Sequence, residues 1–389
     1  MRDDDVPGER VAHGGGRRGS ATSGRASSAA GRVSSSPTVA DVAKKAGVSR
    51  QTVSNVLNAP HRVRAETRRR VERAIIALGY QPNRVAQALR RSASRLIGYR
   101  IEPVHRESLA NIHDRFMHAL AEASREIDYH LLTFTADDPD DEVATCARLL
   151  RSGTVDGFVL YGLEHDDPRP AQLLELGAPF VAFGRSDDHS GYAWVDVDNV
   201  AGTVAAVDHL VERGHRRIGF LGWPSGTPAG DHRAEGWRSA LAKHGLLGEC
   251  QALDVRAVDS IANGARLCAS LLDRDDPPTA VVAASDTLAA GAWQAITARG
   301  LAVGRDVAVV GFDDTPTARA LDLSSVRQPI DEVGRAVLRA LVDQLPGTPA
   351  SPEPKPPENG TTTTPAQLLL TPTLVVRASS APDPATHTP

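Results

Sequence analysis

The residues at 39–58, VADVAKKAGVSRQTVSNVLN, constrain the fold more than any other stretch. Val39, Val42, Ala43 and Ala46 recur at i, i+3, i+4 and i+7, one apolar stripe of a helix that Thr38 can cap. Gly47 ends that helix, because a residue without Cβ takes the φ > 0 conformation of a sharp turn. Ser49 can cap a second helix whose buried side is Val53, Val56 and Leu57. Its other side offers Arg50, Gln51, Thr52, Ser54 and Asn55, hydrogen-bonding groups with no apolar role. Two short helices, a glycine turn and a polar second helix predict a helix-turn-helix, whose second helix enters the DNA major groove. An ordinary helical hairpin with one wet face has the same spacing.

Charge sharpens the choice. Between residues 37 and 95 thirteen Lys/Arg stand against three Asp/Glu, whereas beyond residue 95 there are 25 Lys/Arg and 41 Asp/Glu. A basic module on an acidic body suits a polyanion-binding head on a soluble carrier, and the acidic body confines DNA contact to that head. Cys146, Cys250 and Cys268 are odd in number and widely spaced, which predicts reduced, buried thiols in a cytoplasmic protein. No apolar run reaches membrane-spanning length, and the N-terminus lacks the apolar core of a signal peptide.

Residues 1–36, rich in Gly, Ser, Ala and Arg, predict a disordered tail. A third helix over 66–79 carries Val71, Ala74, Ile75 and Leu78 on one face and closes a three-helix head over 37–82. Next, at 83–94, Asn83 caps about two helical turns, too short to be stable alone in water, so order on binding is expected there. From residue 96 apolar runs at 96–101, 130–134, 157–160, 180–183, 217–221, 280–284 and 307–310 alternate with helical segments, ending with one at 330–345. Such alternation predicts an α/β body of two doubly wound parallel sheets. A Pro/Thr-rich linker at 346–365, a last strand or strand pair at 366–377 and a loose tail at 378–389 complete the chain.

The head and hinge, TVADVAKKAGVSRQTVSNVLN followed by ETRRRVERAIIALGYQPNRVAQALR, resemble the lactose-repressor (LacI type) family of bacterial transcription regulators. The body adds VDGFVLYG, WVDVDNVAG, HLVERGHRRIGFLG, HRAEGWRSAL, ASDTLAAGA, DVAVVGFDD and SSVRQPI in the family's order. The resemblance implies a dimeric repressor whose core is similar to periplasmic sugar-binding proteins. One subdomain would take about 96–197 plus a return segment at 327–345; the other would take 198–326 plus the C-terminal strand.

By the same resemblance Arg50, Gln51 and Asn55 read bases, an assignment their bidentate chemistry suits. Thr38, Ser49, Thr52, Ser54 and Asn58 are placed for phosphates, and Asn83, Arg84 and Leu89 form the hinge, with Leu89 as a minor-groove wedge. Arg64-Ala65 replaces a frequent Ser-Pro, so the third helix loses a cap. In the cleft, Arg233 matches the ligand-holding arginine and Asp313 an acceptor carboxylate; Arg185 and Ser285 complete the effector set. Gly184 replaces an acidic residue, Ser285 an asparagine, and residues 110–113 an aromatic run. Trp194, Trp223 and Phe312 offer flat faces for a sugar ring or pack in the core.

No nucleophile–base pair, glycine-rich dinucleotide motif or agreed metal-ligand set is present, so an enzyme is not expected, nor any cofactor or metal. The reading is a repressor of a near-palindromic operator, controlled by a carbohydrate effector. A purine-type corepressor and, in another class, a solute-binding protein are the alternatives.

Overall fold

The computed structural model describes residues 37–80, 93–101, 112–189, 191–345 and 365–381. The expected tail at 1–36, nearly all of the hinge and linker, and Asn83, Arg84 and Leu89 lie outside the described residues. The chain divides into two compact units, Met1–Asn83 and Arg84–Pro389.

In the first unit, α1 (Val39–Ala46), α2 (Arg50–Asn58) and α3 (Ala65–Leu78) follow the apolar periodicity closely. Thr38 and Asp41 form a capping box: the Thr38 hydroxyl accepts from the Asp41 N–H, and the Asp41 carboxylate accepts the Thr38 N–H at 2.8 Å. Ser49 Oγ accepts the Thr52 N–H at 3.0 Å and so starts α2. α3 starts after Arg64, which makes no side-chain cap hydrogen bond, as its Arg-Ala sequence implies. The core consists of Val42, Ala43, Ala46, Val53, Val56, Val71, Ala74 and Tyr80. Burying each valine contributes about 1.5–3 kcal/mol, so a core this small leaves little margin.

Gly47 holds φ 61°, with nothing within 4 Å of where a Cβ would stand. Gly47→Ala therefore carries only the left-handed backbone penalty, about 1–2 kcal/mol. Thermal unfolding of the head is expected to shift down accordingly.

The second unit holds two six-stranded sheets. The first comprises β1 (Leu96–Arg100), β2 (His130–Phe134), β3 (Gly157–Leu160), β4 (Phe180–Phe183), β5 (Ala193–Val197) and β11 (Gln367–Leu370), in the order β11-β5-β4-β3-β1-β2 and parallel throughout. The second comprises β6 (Ile218–Gly222), β7 (Asp254–Arg256), β8 (Ala280–Ala283), β9 (Ala308–Phe312), β10 (Ser324–Arg327) and β12 (Thr373–Val375), in the order β12-β10-β9-β8-β6-β7. There β12 runs antiparallel to β10. Both faces of the central strands are covered, so β3, β4, β8 and β9 are buried along their whole length.

The chain crosses between the lobes three times: after β5 into helix Asn199–Glu212, after β10 into helix Ile330–Val342, and between β11 and β12. Helix Ile330–Val342 returns to the first lobe and packs closely on helix Ile112–Glu126, where a Cβ on Gly334 would meet the Ala119 backbone at 2.9 Å.

Three expectations need correcting. The C-terminal pair does not go whole to the second lobe, because β11 pairs with β5 in the first. Pro372 separates the two strands; without an N–H it cannot continue a ladder, and the chain changes sheet there. The tail expected from residue 378 is packed in its first positions, with Ser379 and Ser380 buried. Ser379 Oγ donates to the Val309 carbonyl and accepts the Ser324 N–H. Finally, β5, β7 and β10 were not among the expected strands; Asp196, Asp254 and the Ser324-Ser325 pair break their apolar runs.

Candidate functional site

On the head, Arg50 and Gln51 are exposed on the first turn of α2, with Asn55 half-buried one turn on. Gln51 Nε2 donates to Asn55 Oδ1 at 3.1 Å, so these two amides are linked before any partner arrives. Ser49 and Thr52 share a hydroxyl hydrogen bond of 2.9 Å, and Ser54 is half-buried beside them. The hydroxyls of Thr38 and Ser49 thus already hold helix N-termini, where backbone N–H groups point outward and favour an anion.

In the body, Arg185, Ser285 and Asp313 follow the C-terminal ends of β4, β8 and β9, where open α/β sheets bind ligands, and of the expected effector residues Arg233 and Asp313 are brought together. Arg233, from the first turns of helix Pro228–Lys243, is 3% exposed. Its guanidinium lies 3.7 Å from the Phe312 ring centroid and 4.8 Å from that of Trp223. Nε donates to Asn199 Oδ1 at 2.8 Å, Nη1 donates to the Ala284 carbonyl, and Nη2 stands 3.8 Å from Asp313 Oδ1. Burial presses against its charge; Asp313, Tyr161, Asp259 and Asp196 support it. Tyr161 and Asp196 belong to the first lobe, so charges of both lobes act on Arg233.

Asp313 follows β9 with φ 107°, and Asp314 with φ 50°, conformations that L side chains rarely adopt. Ion pairs hold this turn. Asp314 is fully buried and accepts from Arg377, from Arg327 at 2.7 Å and from Arg319 at 3.5 Å. Burial opposes its ionisation, but the Arg377 and Arg327 hydrogen bonds outweigh that and hold its carboxyl below the ordinary value. Asp313 is thereby held beside Arg233, and Gln328 Nε2 donates to its Oδ1 at 2.6 Å. Arg115 of the first lobe donates to its carbonyl at 2.7 Å.

Ser285 caps helix Asp286–Ala298, accepting the Leu288 N–H at 3.1 Å, and its hydroxyl donates to Asp259. Arg185 pairs with Asp196 at 3.3 Å and lies over Trp194. Of the three flat rings, Phe312 and Trp223 are faced by Arg233 and Trp194 by Arg185. The altered aromatic run still leaves an aromatic cluster in the first lobe, in which His113 stacks on Tyr99 and meets Tyr161 edge-on at 4.9 Å. Phe116 and Phe183 complete it at 4.5 Å.

Sequence reasoning missed Asp259, Asn199, Gln328 and Arg115. A lone Asp in a short polar loop gives no signal, Gln328 lies inside SSVRQPI but meets Asp313 across 15 residues, and Arg115 matters only once the lobes are folded together. Asn199 lay inside a motif that was noticed, WVDVDNVAG, but its contact with Arg233 spans 34 residues. Cys146, Cys250 and Cys268 are free and buried.

Asp286 and Asp313 are buried close together. Burial first, and then the Asp313 charge, pushes the Asp286 carboxyl up; burial also pushes Asp313 up against the pull of Arg233. A carboxyl whose pKa is raised on folding binds its proton more tightly in the folded state. Its contribution is therefore lost as pH rises from the ordinary carboxylate value through the raised one. Asp286→Asn should flatten that decline: between about pH 4 and about pH 7, denaturant unfolding should show the parent losing more stability than the variant.

Head and body together define a class: a helix-turn-helix module joined to a two-lobed, binding-protein-like core that holds a cluster of buried polar and aromatic side chains at its strand ends. A family model for bacterial regulatory proteins of the lacI family matches residues 38–83, and one for a periplasmic binding protein-like domain matches residues 207–380. The transcriptional regulator AglR of Rhizobium meliloti (strain 1021) is 34% identical over 350 residues, 88% of this chain and 94% of the relative. The solved cellobiose complex of a transcriptional regulator, CelR, is 33% identical, covers 88% of this chain and 99% of its own, and has a TM-score of 0.64. The lac repressor dimer bound to operator and the anti-inducer ONPF is 28% identical, covers 89% and 100%, and has a TM-score of 0.72. The chain belongs to the LacI family of bacterial regulatory proteins. It is a DNA-binding transcriptional regulator.

Proposed function

We propose that the chain is a cytoplasmic repressor that binds a near-palindromic operator as a homodimer and answers to a neutral carbohydrate. Arg50, Gln51 and Asn55 contact base edges, while Thr38, Ser49, Thr52 and Ser54 set register on phosphates. Asn83, Arg84 and Leu89 are assigned to the hinge in the minor groove by resemblance to the family. In the cleft Arg233, Asp313 and Arg185 hold the effector's hydroxyls, and Ser285 acts through Asp259, whose carboxylate it orients. No reaction is assigned to the cleft.

One observation carries the effector half: a buried guanidinium set against two aromatic rings, with carboxylates of both lobes around it. Such a mixture of planar donors, acceptors and ring faces suits a polyhydroxylated ring. Cellobiose in the CelR complex supports that class. A coupling of ~1–3 kcal/mol between effector and operator would change operator affinity roughly 5- to 150-fold.

Calorimetry on the full chain with cellobiose, other neutral disaccharides, monosaccharides and purine bases tests the reading. Heat from a carbohydrate, together with an altered operator affinity, is expected. Heat from purines alone makes the protein a corepressor-dependent regulator instead.

A further inference from the structure

A charge cluster outside the proposed effector set also spans the two lobes. His165 lies in the loop after β3, in the first lobe. Its Nδ1 is 2.7 Å from Asp187 Oδ1, in the loop after β4 of the same lobe. Its Nε2 is 3.1 Å from Asp231 Oδ2, on helix Pro228–Lys243 of the second lobe. Asp231 is fixed from its own side, its Oδ1 accepting from Arg256 Nη1 at 2.8 Å and its Oδ2 from the Gly226 N–H at 2.9 Å.

Ionised carboxylates only accept hydrogen bonds, and a neutral imidazole has one N–H and one lone pair. A neutral His165 can therefore donate to one of its two partners and must face the other with a lone pair. The imidazolium, with two N–H groups, donates to both. We propose that His165 is the clasp of the cleft, its imidazolium held by Asp187 and donating across the gap to Asp231, so that closing the lobes takes up a proton.

The surrounding charges agree. Hydrogen bonds donated to Asp187 and then to Asp231 hold the imidazole's pKa above its ordinary value. Asp231 itself is kept below the ordinary value: burial opposes its charge, but Gly226, Arg256 and His165 outweigh it. His232, next along the helix, is held down by burial and then by Arg185, and His165 adds to that. On the clasp's own loop Glu164 and Asp166 are exposed, and Asp167 is engaged by Arg169 at 2.6 Å. A second tie between the lobes among the described residues, Arg115 to the Asp313 carbonyl, joins a guanidinium to a backbone oxygen.

A histidine whose pKa rises on closure favours the closed form fully below the ordinary imidazole pKa. That preference is lost as pH rises through the raised one. An effector that requires the closed cleft then binds more tightly in mildly acidic than in mildly alkaline solution. This consequence rests on the effector reading; the clasp does not, and a titration reads the clasp alone.

The test is an NMR titration of the full chain carrying ε1-13C histidine, the His165 signal being the one lost in His165→Gln. The parent midpoint is expected above that of a free imidazole, and Asp231→Asn, in the opposite lobe, is expected to bring it down. Asp187→Asn is the same-lobe reference, and Asp231→Ser removes the carboxylate a second way should the Asn variant fail to fold. An ordinary parent midpoint overturns the proposal. So does a midpoint that falls with Asp187→Asn but stays put when the Asp231 carboxylate is gone, because the imidazolium would then not reach across the cleft.

Discussion

Arg233→Ala is expected to abolish the effector response while leaving specific operator binding in place. Hydrogen bonds from a charged donor are worth about 1.5–3 kcal/mol each, and at least two to the effector would go. Loss of two such bonds lowers effector affinity by roughly 100-fold or more. The substitution also strips Asp313 of the Arg233 charge that opposes the effect of burial, which pushes that carboxyl further toward its neutral form. Some stability goes too, since Asn199 Oδ1 and the Ala284 carbonyl both lose a donor. Arg233→Lys separates charge from geometry: an ammonium keeps the positive charge but cannot reproduce the planar fork. Lysine is therefore expected to restore stability better than effector affinity. Calorimetry with a sugar that binds the parent, beside operator titration of each variant, checks this; an unchanged sugar affinity in Arg233→Ala would remove the residue from the site.

Arg50→Ala is the corresponding test on the head. The side chain is exposed at the start of α2 and supports no core residue, so stability should move by no more than about 0.5 kcal/mol. Specific binding should fall by ~1–3 kcal/mol, roughly 5- to 150-fold, while binding to random duplex falls much less. Anisotropy titrations of both duplexes at one fixed salt concentration give the ratio that matters. Gln51 and Asn55 share a hydrogen bond, so substitutions there are expected to be non-additive with each other. Equal losses on specific and random duplex would make Arg50 a phosphate contact.

The head was legible almost entirely because its signals are local. Valine spacing, Thr38 and Ser49 as caps, and Gly47 as the turn each act within four residues, and the structure uses them in those ways. The two sheets were legible as alternation, since buried parallel strands such as β8 and β9 are continuous apolar runs. Strands carrying polar residues were not. The Ser324-Ser325 pair in β10 reads as loop until Ser380 and Asp286 are seen to satisfy its hydroxyls. The division of β11 and β12 between lobes depends on which edge each finds free, and no local pattern encodes that. In the cleft, Arg233 and Asp313 came from family resemblance rather than from periodicity, and the structure brings them together. Asp259 had no signal, because its importance comes from Ser285 and Arg233, which are distant in sequence.

The most direct test of the central claim is selection of duplexes from a random pool by the purified full chain at physiological salt, repeated with sugars present. The account predicts enrichment of one inverted repeat, bound far more tightly than random duplex and with an affinity that a carbohydrate changes. No preference for any duplex over random sequence, with or without sugars, would contradict it.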